Sequence, residues 1–299
     1  MDLRREQVAI LITSLAEHIK TLANEASSRV CVPETLQKKV DDLLPQFNCK
    51  RYESTSLPEF IQEIVTTELV ATLDSLDTWG NLDGKAFVTV TRILLATESC
   101  LSKEQGLFQL MCVLEENVFL VNTSERHKEG YQRLAEFKAT VGELLLFPLY
   151  FAFIDNSKPS STRRWIGLLF CHLIRDSAEN IELLKGFPSQ LFKNLGKIII
   201  ESNDRLLKGV SGKLIAETLT GLQLNDWSKH LKYFWPLGMT SYYAEFPGEF
   251  EEEDWEPRLF EYIDATETRH QVCTGFNATN ITIGDCEIES ERCSTARLD

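Results

Sequence analysis

Apolar residues recur along most of this chain at the spacing of an α-helix. In the first segment Val8, Leu11, Ile12, Leu15 and Ile19 fall at intervals of three and four residues, which places them on one helical face. The same period returns in later segments, and short stretches rich in turn residues separate them. We therefore expect roughly ten helices with short connections, and no long strand before residue 236.

The most apolar stretch is Leu144–Ile154, in which eleven apolar residues follow one another. A membrane-spanning helix needs about 20 residues, so this stretch predicts a helix buried on all sides in the core. Pro148 should kink the helix, because proline lacks a backbone donor. A second apolar helix, Trp165–Ile174, follows a turn-rich loop at Asp155–Ser161. The two helices predict a hairpin at the centre of the fold.

Polar residues mark where several helices begin and end. Capping boxes are predicted at Ser56–Glu59 and Ser102–Gln105, where the serine oxygen can accept from an amide of the first turn. A third cap at Asp176–Glu179 should begin a short helix, and Gly186–Pro188 should end it. Helices of this length predict an all-α fold over residues 1–235, arranged as an armadillo- or HEAT-like α-solenoid. An irregular helical bundle is the alternative, because the helix pairs do not repeat a common sequence.

Residues 236–299 differ in character from the helical body and predict a separate acidic C-terminal segment. Leu259–Ile263 and Asn280–Glu289 have strand-like patterns. Gly284 lies where the second pattern changes phase, as a β-bulge requires. We expect this segment to be a small β appendage or to be partly disordered.

The negative charge of the chain is concentrated near its C-terminal end. Of the 45 acidic and 31 basic residues, 15 acidic residues and four arginines fall within residues 245–299. The rest of the chain is close to neutral. This balance argues against direct binding of nucleic acid, which requires clustered positive charge. It favours a basic protein partner, or serves solubility.

The cysteines and the first residues indicate an intracellular protein. Eight cysteines occur without a C-x-x-C pair, so zinc and thioredoxin-type sites gain no support. The first 20 residues are charged and amphipathic, which does not fit a secretory signal. The sequons at Asn122, Asn277 and Asn280 are then expected to be chance occurrences. We expect reduced thiols, no membrane association, and a location in the nucleus or the cytoplasm, with the nucleus preferred.

No arrangement of residues matches a catalytic motif. The five histidines lack the HExxH spacing, and no phosphate-binding or dinucleotide-binding glycine loop occurs. Cys171 and His172 are neighbours on a predicted helix, so their side chains diverge and a buried structural histidine is expected. Gly209–Gly212 lacks the G-x-S-x-G sequence and follows no strand. We expect no enzyme activity, cofactor or metal; an enzyme site assembled from scattered residues is the alternative.

An acidic segment with interleaved aromatic residues, Glu245–Glu256, is the clearest candidate binding element. Its carboxylates would attract a basic surface at long range, and its rings would anchor in apolar pockets. The alternative is a solvated linker whose aromatic residues pack against the helical body. The predicted partner-binding residues are Phe246, Phe250, Glu251, Glu252, Glu253, Asp254 and Trp255.

The order of elements around this segment resembles a known family. A helical body leads to Phe234–Gly238 (FWPLG), then to the aromatic pair Tyr242 and Tyr243, and then to Glu253–Glu256 (EDWE). This order is similar to the N-terminal region of meiotic chromosome axis core proteins, the lateral-element scaffolds in which an armadillo-like domain precedes a pleckstrin-like one. The chain after Trp235 is too short for a full pleckstrin-like domain. The resemblance implies a nuclear scaffold that binds chromatin-associated peptides.

The sequence therefore predicts a non-catalytic α-helical scaffold that binds protein partners, and the expected partner is either a peptide motif or a basic chromatin protein. A second hypothesis is a cytoplasmic regulatory adaptor that binds a peptide or an amphipathic helix in its solenoid groove.

Overall fold

The computed structural model describes residues 10, 12–17, 38, 84–96, 103–112, 114, 127–221, 228–248, 250, 252–270, 281–283 and 286–288. Regular structure in these ranges is helical except for two short strands near the end, which confirms the all-α prediction for this part of the chain. The solenoid arrangement remains a prediction. The predicted capping box at Ser56–Glu59 lies outside the described residues.

Nine α-helices have bounds within the described ranges. They are α1 (Gly84–Ala96), α2 (His127–Ile154), α3 (Ser160–Ile174), α4 (Ala178–Lys185), α5 (Ser189–Glu201), α6 (Arg205–Gly221), α7 (Ser228–Leu231), α8 (Thr240–Ala244) and α9 (Trp255–His270). A 3₁₀ turn, Lys232–Phe234, follows α7, and residues 12–17 and 103–112 are also helical. The predicted central hairpin is confirmed as α2 and α3.

The chain divides into two compact units. The first contains Met1–Leu191 and Lys213–Asn225, and the second contains Phe192–Gly212 and Asp226–Asp299. Helices α5 and α6 therefore each contribute residues to both units. This division differs from the predicted boundary at residue 235.

The core of the first unit lies along α2 and α3. Helix α2 packs against α1, α3 and α4. The fully buried apolar side chains of the hairpin are Val141, Leu145, Leu149, Phe153, Ile166, Leu169 and Leu173. Their burial contributes most of the hydrophobic stabilisation of the hairpin, because free energy scales with the apolar area removed from water.

The loop between α2 and α3 is fixed by local hydrogen bonds. The amide and the hydroxyl of Ser157 donate to Asp155 Oδ1 at 3.0 and 2.6 Å, and these hydrogen bonds lower the pKa of the carboxyl group. Arg163 Nε donates to the Phe153 carbonyl at 2.7 Å, which joins the end of α2 to the first turn of α3. The turn residues predicted for this loop thus close the hairpin.

Helix α2 is not buried on all sides, contrary to the prediction. Phe147 and Phe151 are exposed on one face, whereas Leu146 and Tyr150 are buried. The α-helix continues through Pro148 to Ile154. The neighbouring helices cover only part of α2, so a stripe of apolar side chains remains at the surface.

Polar side chains hold the corner between α3 and α4. Ser177 Oγ accepts from the Asn180 amide at 3.4 Å, which confirms the predicted cap of α4. The Asn180 side chain donates to the carbonyls of Lys138 and Leu173 at 3.0 and 2.8 Å. Lys138 Nζ donates to the Arg175 carbonyl at 2.6 Å, so a lysine side chain caps the C-terminal end of α3.

In the second unit, two glycines allow close packing of α6 against α9. A Cβ added at Gly209 would lie 2.7 Å from the Phe260 ring. A Cβ added at Gly212 would lie 2.6 Å from the Leu259 side chain. Larger residues at either position would push the two helices apart.

Two ion pairs join the same helices. Arg205 donates to both carboxylate oxygens of Asp264, at 2.7 and 2.9 Å. Lys208 Nζ lies 2.8 Å from Glu267 Oε1, and both side chains are buried. The second pair compensates two charges that would be costly to bury singly.

Leu259–Ile263, which has a strand-like pattern, lies inside α9. Leu259 and Ile263 are both fully buried and are four residues apart, which is the spacing of one helical face. A five-residue segment is too short for its apolar period to distinguish a helix from a strand, and here packing against α6 favours the helix. The strand prediction is therefore wrong at this segment.

Two three-residue strands, β1 (Ile281–Ile283) and β2 (Cys286–Ile288), follow α9 along the chain. They pair antiparallel, with Ile281 opposite Ile288. Gly284, the position of the predicted bulge, lies outside the described residues. A pair of this size is only marginally stable by itself, so a β appendage remains a prediction.

Candidate interaction surfaces

The aromatic residues of the acidic segment belong to a cluster in the second unit. The centroid of the Phe246 ring lies 5.2 Å from that of Trp235 and 5.5 Å from that of Tyr262. It lies 6.5 Å from the Trp255 ring. Phe246 is 3% exposed and Trp255 is 6% exposed, so these two predicted anchors serve the core.

Trp255 and Tyr262, two of the polar rings of this cluster, have hydrogen-bond partners. Trp255 Nε1 donates to the Pro247 carbonyl at 3.0 Å, and the Tyr262 hydroxyl donates to the Tyr242 carbonyl at 3.0 Å. Burial raises the pKa of Tyr262, which keeps its hydroxyl protonated. Phe250 is half-buried at the edge of the cluster, with its ring 5.7 Å from that of Trp255. The cluster has the features of a structural core.

The carboxylates of the segment remain at the surface. Glu252, Glu253 and Asp254 are exposed directly before α9. Arg258 Nη2 lies 2.7 Å from a Glu252 oxygen and 3.4 Å from an Asp254 oxygen, so part of this charge is compensated within the molecule. Glu251 lies outside the described residues. The structure thus separates the predicted charged residues from the buried pair of aromatic anchors.

Cys171 and His172 lie on α3 without the properties of a reactive dyad. Burial raises the pKa of the Cys171 thiol, so the thiol is protonated at neutral pH. Burial, with a further contribution from the Arg175 charge, lowers the pKa of His172 to about 4. The imidazole is therefore neutral at pH 7. Within the described ranges, no group of three or more His, Cys, Asp and Glu side chains is placed to hold a metal ion.

A second surface, which the sequence did not single out, lies on the first unit between α2 and α4. Phe147 and Phe151 are 48% and 41% exposed, and Leu183 is 40% exposed. The Phe147 ring centroid lies 4.6 Å from that of Phe151 and 5.0 Å from that of Phe187. We call these four residues, Phe147, Phe151, Leu183 and Phe187, the aromatic patch.

Buried groups support the aromatic patch from below. The Tyr150 ring lies 5.7 Å from the Phe187 ring and 5.8 Å from the Phe170 ring. The Tyr150 hydroxyl donates to the Leu191 carbonyl at 2.6 Å, which fixes the segment that follows α4. These contacts hold the exposed rings in place before any partner binds, and a preorganised surface loses less entropy on binding.

The sequence contains only an indirect signal for the aromatic patch. Phe147 and Phe151 are four residues apart and therefore share a helical face. Every residue from Leu144 to Ile154 is apolar, however, so no polar face marks the side that points to solvent. The exposed side is decided by where the neighbouring helices pack.

Helix α2 is long and apolar enough to cross a membrane, by length and composition only. The candidate span Tyr131–Ile154 has 24 residues and a mean hydropathy of 1.5, and 44% of its most apolar window is buried inside the protein. The core helix of a soluble protein meets the same criterion. Packing against α1, α3 and α4 accounts for part of this apolar character.

Comparison of the chain with protein-family models, with curated proteins and with solved structures finds no match. The fold and its surfaces therefore define only a class, a mainly helical protein with an exposed aromatic patch.

Proposed function

We propose that this protein is a non-catalytic helical adaptor that binds protein partners, and that the aromatic patch is its principal contact surface. The observation that carries the proposal is the exposure of Phe147 and Phe151, whose rings contact each other and Phe187, together with the exposure of Leu183 four residues before Phe187. Single exposed apolar residues are common, whereas a contiguous group marks an interaction surface. Aromatic side chains also supply much of the binding energy at protein interfaces.

The acidic segment before α9 has a supporting role in this proposal. Exposed carboxylates at Glu252, Glu253 and Asp254 would increase the rate of association with a basic partner, because charge attraction acts at long range. Phe246 and Trp255 contribute to the core and add no short-range anchor. A nuclear setting with a chromatin-associated partner, which the resemblance to chromosome axis core proteins implies, belongs to the proposal as well.

An enzyme with a scattered site has less support. The thiol of Cys171 is protonated and the imidazole of His172 is neutral and partly buried, so neither group is activated for nucleophilic catalysis.

The proposal is tested with the double variant Phe147→Ser/Phe151→Ser. The matched control is Tyr131→Ser, which removes a ring that is 55% exposed from the same helix. Proteins retained from nuclear and cytoplasmic extracts by each variant are quantified by mass spectrometry, then purified for direct binding measurements. We expect a partner that binds the wild type and the control equally and binds the double variant at least about tenfold more weakly.

Equal melting temperatures of the three proteins would establish that the variants are folded. If every purified partner binds all three proteins with the same affinity, the aromatic patch is not the contact surface and the proposal fails.

A further inference from the structure

The aromatic patch has an acidic end. Glu143 lies one turn before Phe147 on α2, and Glu179 lies one turn before Leu183 on α4. Both glutamates are exposed, and neither has an ion-pair partner among the residues that the structure describes. Each carboxylate therefore adds negative charge next to an apolar side chain.

The two carboxylates lie at the same end of the patch because α2 and α4 run in the same direction. Asn180, near the start of α4, contacts Lys138 and Gly142. Phe187, just after α4, contacts Phe147 further along α2. A later residue of one segment thus contacts a later residue of the other, which requires α2 and α4 to be parallel. The aromatic patch is therefore acidic near the N-terminal ends of both helices and aromatic near their C-terminal ends.

The other charged groups near the aromatic patch do not neutralise the negative charge of Glu143 and Glu179. Glu182 and Lys185 form an ion pair with each other on α4. The ammonium group of Lys138 is buried and donates to the Arg175 carbonyl at 2.6 Å. Burial lowers the pKa of Lys138.

We infer that the aromatic patch binds an amphipathic α-helix whose apolar face carries large side chains and whose one end carries lysine or arginine. This inference rests on the proposed function and adds the chemistry of the partner. A helical partner fits because its backbone hydrogen bonds are internal and its apolar face can lie on an apolar surface, whereas a β-strand partner would need a strand edge that α2 and α4 do not offer. The basic end of the partner would meet Glu143 and Glu179.

The test uses three synthetic helical peptides that share one apolar face of leucines and differ at one end. That end carries two lysines, two glutamines or two glutamates. Binding of each fluorescent peptide to the full chain is measured by anisotropy at low and at high salt. We expect the lysine peptide to bind about three- to tenfold more tightly than the glutamine peptide, and the difference to shrink at high salt.

Protein variants separate the charge contribution from the apolar one. Glu143→Gln/Glu179→Gln should reduce the preference for the lysine peptide to less than about twofold. The matched control Glu201→Gln/Glu261→Gln removes the same charge from exposed positions in the second unit and should keep the preference. The double variant Phe147→Ser/Phe151→Ser should weaken the binding of all three peptides by a similar factor.

Several results would overturn the inference. If the three peptides bind equally, or if the Glu143 and Glu179 variant keeps the preference, the partner is not selected by charge, although the proposed function stands. If the protein forms a dimer and Phe151→Ser dissociates it, the aromatic patch binds a second copy of the chain. If the protein binds anionic vesicles and Phe151→Ser abolishes this binding, the aromatic patch binds a lipid surface. If no peptide binds, an amphipathic helix is excluded as the partner. The proposed function is tested separately, by the partners purified from nuclear and cytoplasmic extracts.

Discussion

Gly142 lies where the backbone of α2 meets the side chain of Asn180. A Cβ at this position would be 1.8 Å from Asn180 Oδ1, far inside the contact distance. The absence of a side chain therefore allows Asn180 to reach the carbonyls of Lys138 and Leu173 and to fix the corner between α3 and α4.

Gly142→Ala should lower the free energy of unfolding by about 1–3 kcal/mol, because the new methyl group displaces Asn180. Chemical denaturation measures this change. In an Asn180→Ala background the same substitution should cost much less, since the two sites are coupled. A gain of about 1 kcal/mol, which is normal when alanine replaces glycine within a helix, would refute the clash.

His172 should make the stability of the protein depend on pH. Its pKa is 6.5 in an unperturbed chain and about 4 in the folded protein, so the unfolded state binds more protons between these values. The free energy of unfolding should therefore fall as the pH falls from about 6.5 to 4. We expect a loss of about 1–2 kcal/mol between pH 7 and pH 5 that His172→Gln does not show. Equal losses in both proteins would contradict this assignment.

At the scale of elements, the two helices of the hairpin differ in how deeply their side chains are buried. Leu169 on α3 is fully buried, whereas Phe151 on α2 is 41% exposed. Leu169→Ala should destabilise the protein by about 2–5 kcal/mol through the cavity that it creates. Phe151→Ala should cost about 1 kcal/mol or less. Thermal and chemical unfolding of both variants measure these changes. Equal losses of unfolding free energy in the two variants would show that α2 is buried on both faces.

Helix α9 begins with a residue that joins it to the aromatic cluster of the second unit. Trp255→Ala should lower the free energy of unfolding by about 3–5 kcal/mol, because it removes a buried ring and the hydrogen bond to Pro247. Glu253→Gln, two residues earlier and exposed, serves as the control and should change stability by less than about 0.5 kcal/mol. If the Trp255→Ala protein has the wild-type melting temperature, the Trp255 ring does not stabilise the core and would be available to contact a partner.

At the scale of the whole molecule, the oxidation state of the cysteines indicates whether the protein resides in a reducing or an oxidising compartment. Cys112 and Cys171 form no disulfide, and the sequence predicts that the other six cysteines are reduced as well. Mass spectrometry of unreduced protein should find eight free thiols. Cys171 should react with alkylating reagents much more slowly than the partly exposed Cys112, because it is buried and its pKa is raised. A stoichiometric disulfide would overturn the intracellular assignment.

The candidate sites were only partly accessible from the sequence. The acidic-aromatic segment stands out by composition, and its exposed carboxylates Glu252, Glu253 and Asp254 could be named in advance. The packing of Phe246 and Trp255 against the body was one of two alternatives that the sequence left open, because it depends on contacts with the Trp235 and Tyr262 rings that the sequence pattern does not show. The aromatic patch likewise depends on Phe187 meeting Phe147 across forty residues of sequence.

The sequence by itself determined the helical class, the hairpin of α2 and α3, and the cap of α4 at Ser177. These features depend on the period of apolar residues and on hydrogen bonds between residues a few positions apart. Only the tertiary structure decided that α2 exposes Phe147 and Phe151, and that the segment Leu259–Ile263 is helical. Those outcomes depend on which surfaces meet in space, and an apolar run satisfies several packings equally until a partner helix covers one of its faces.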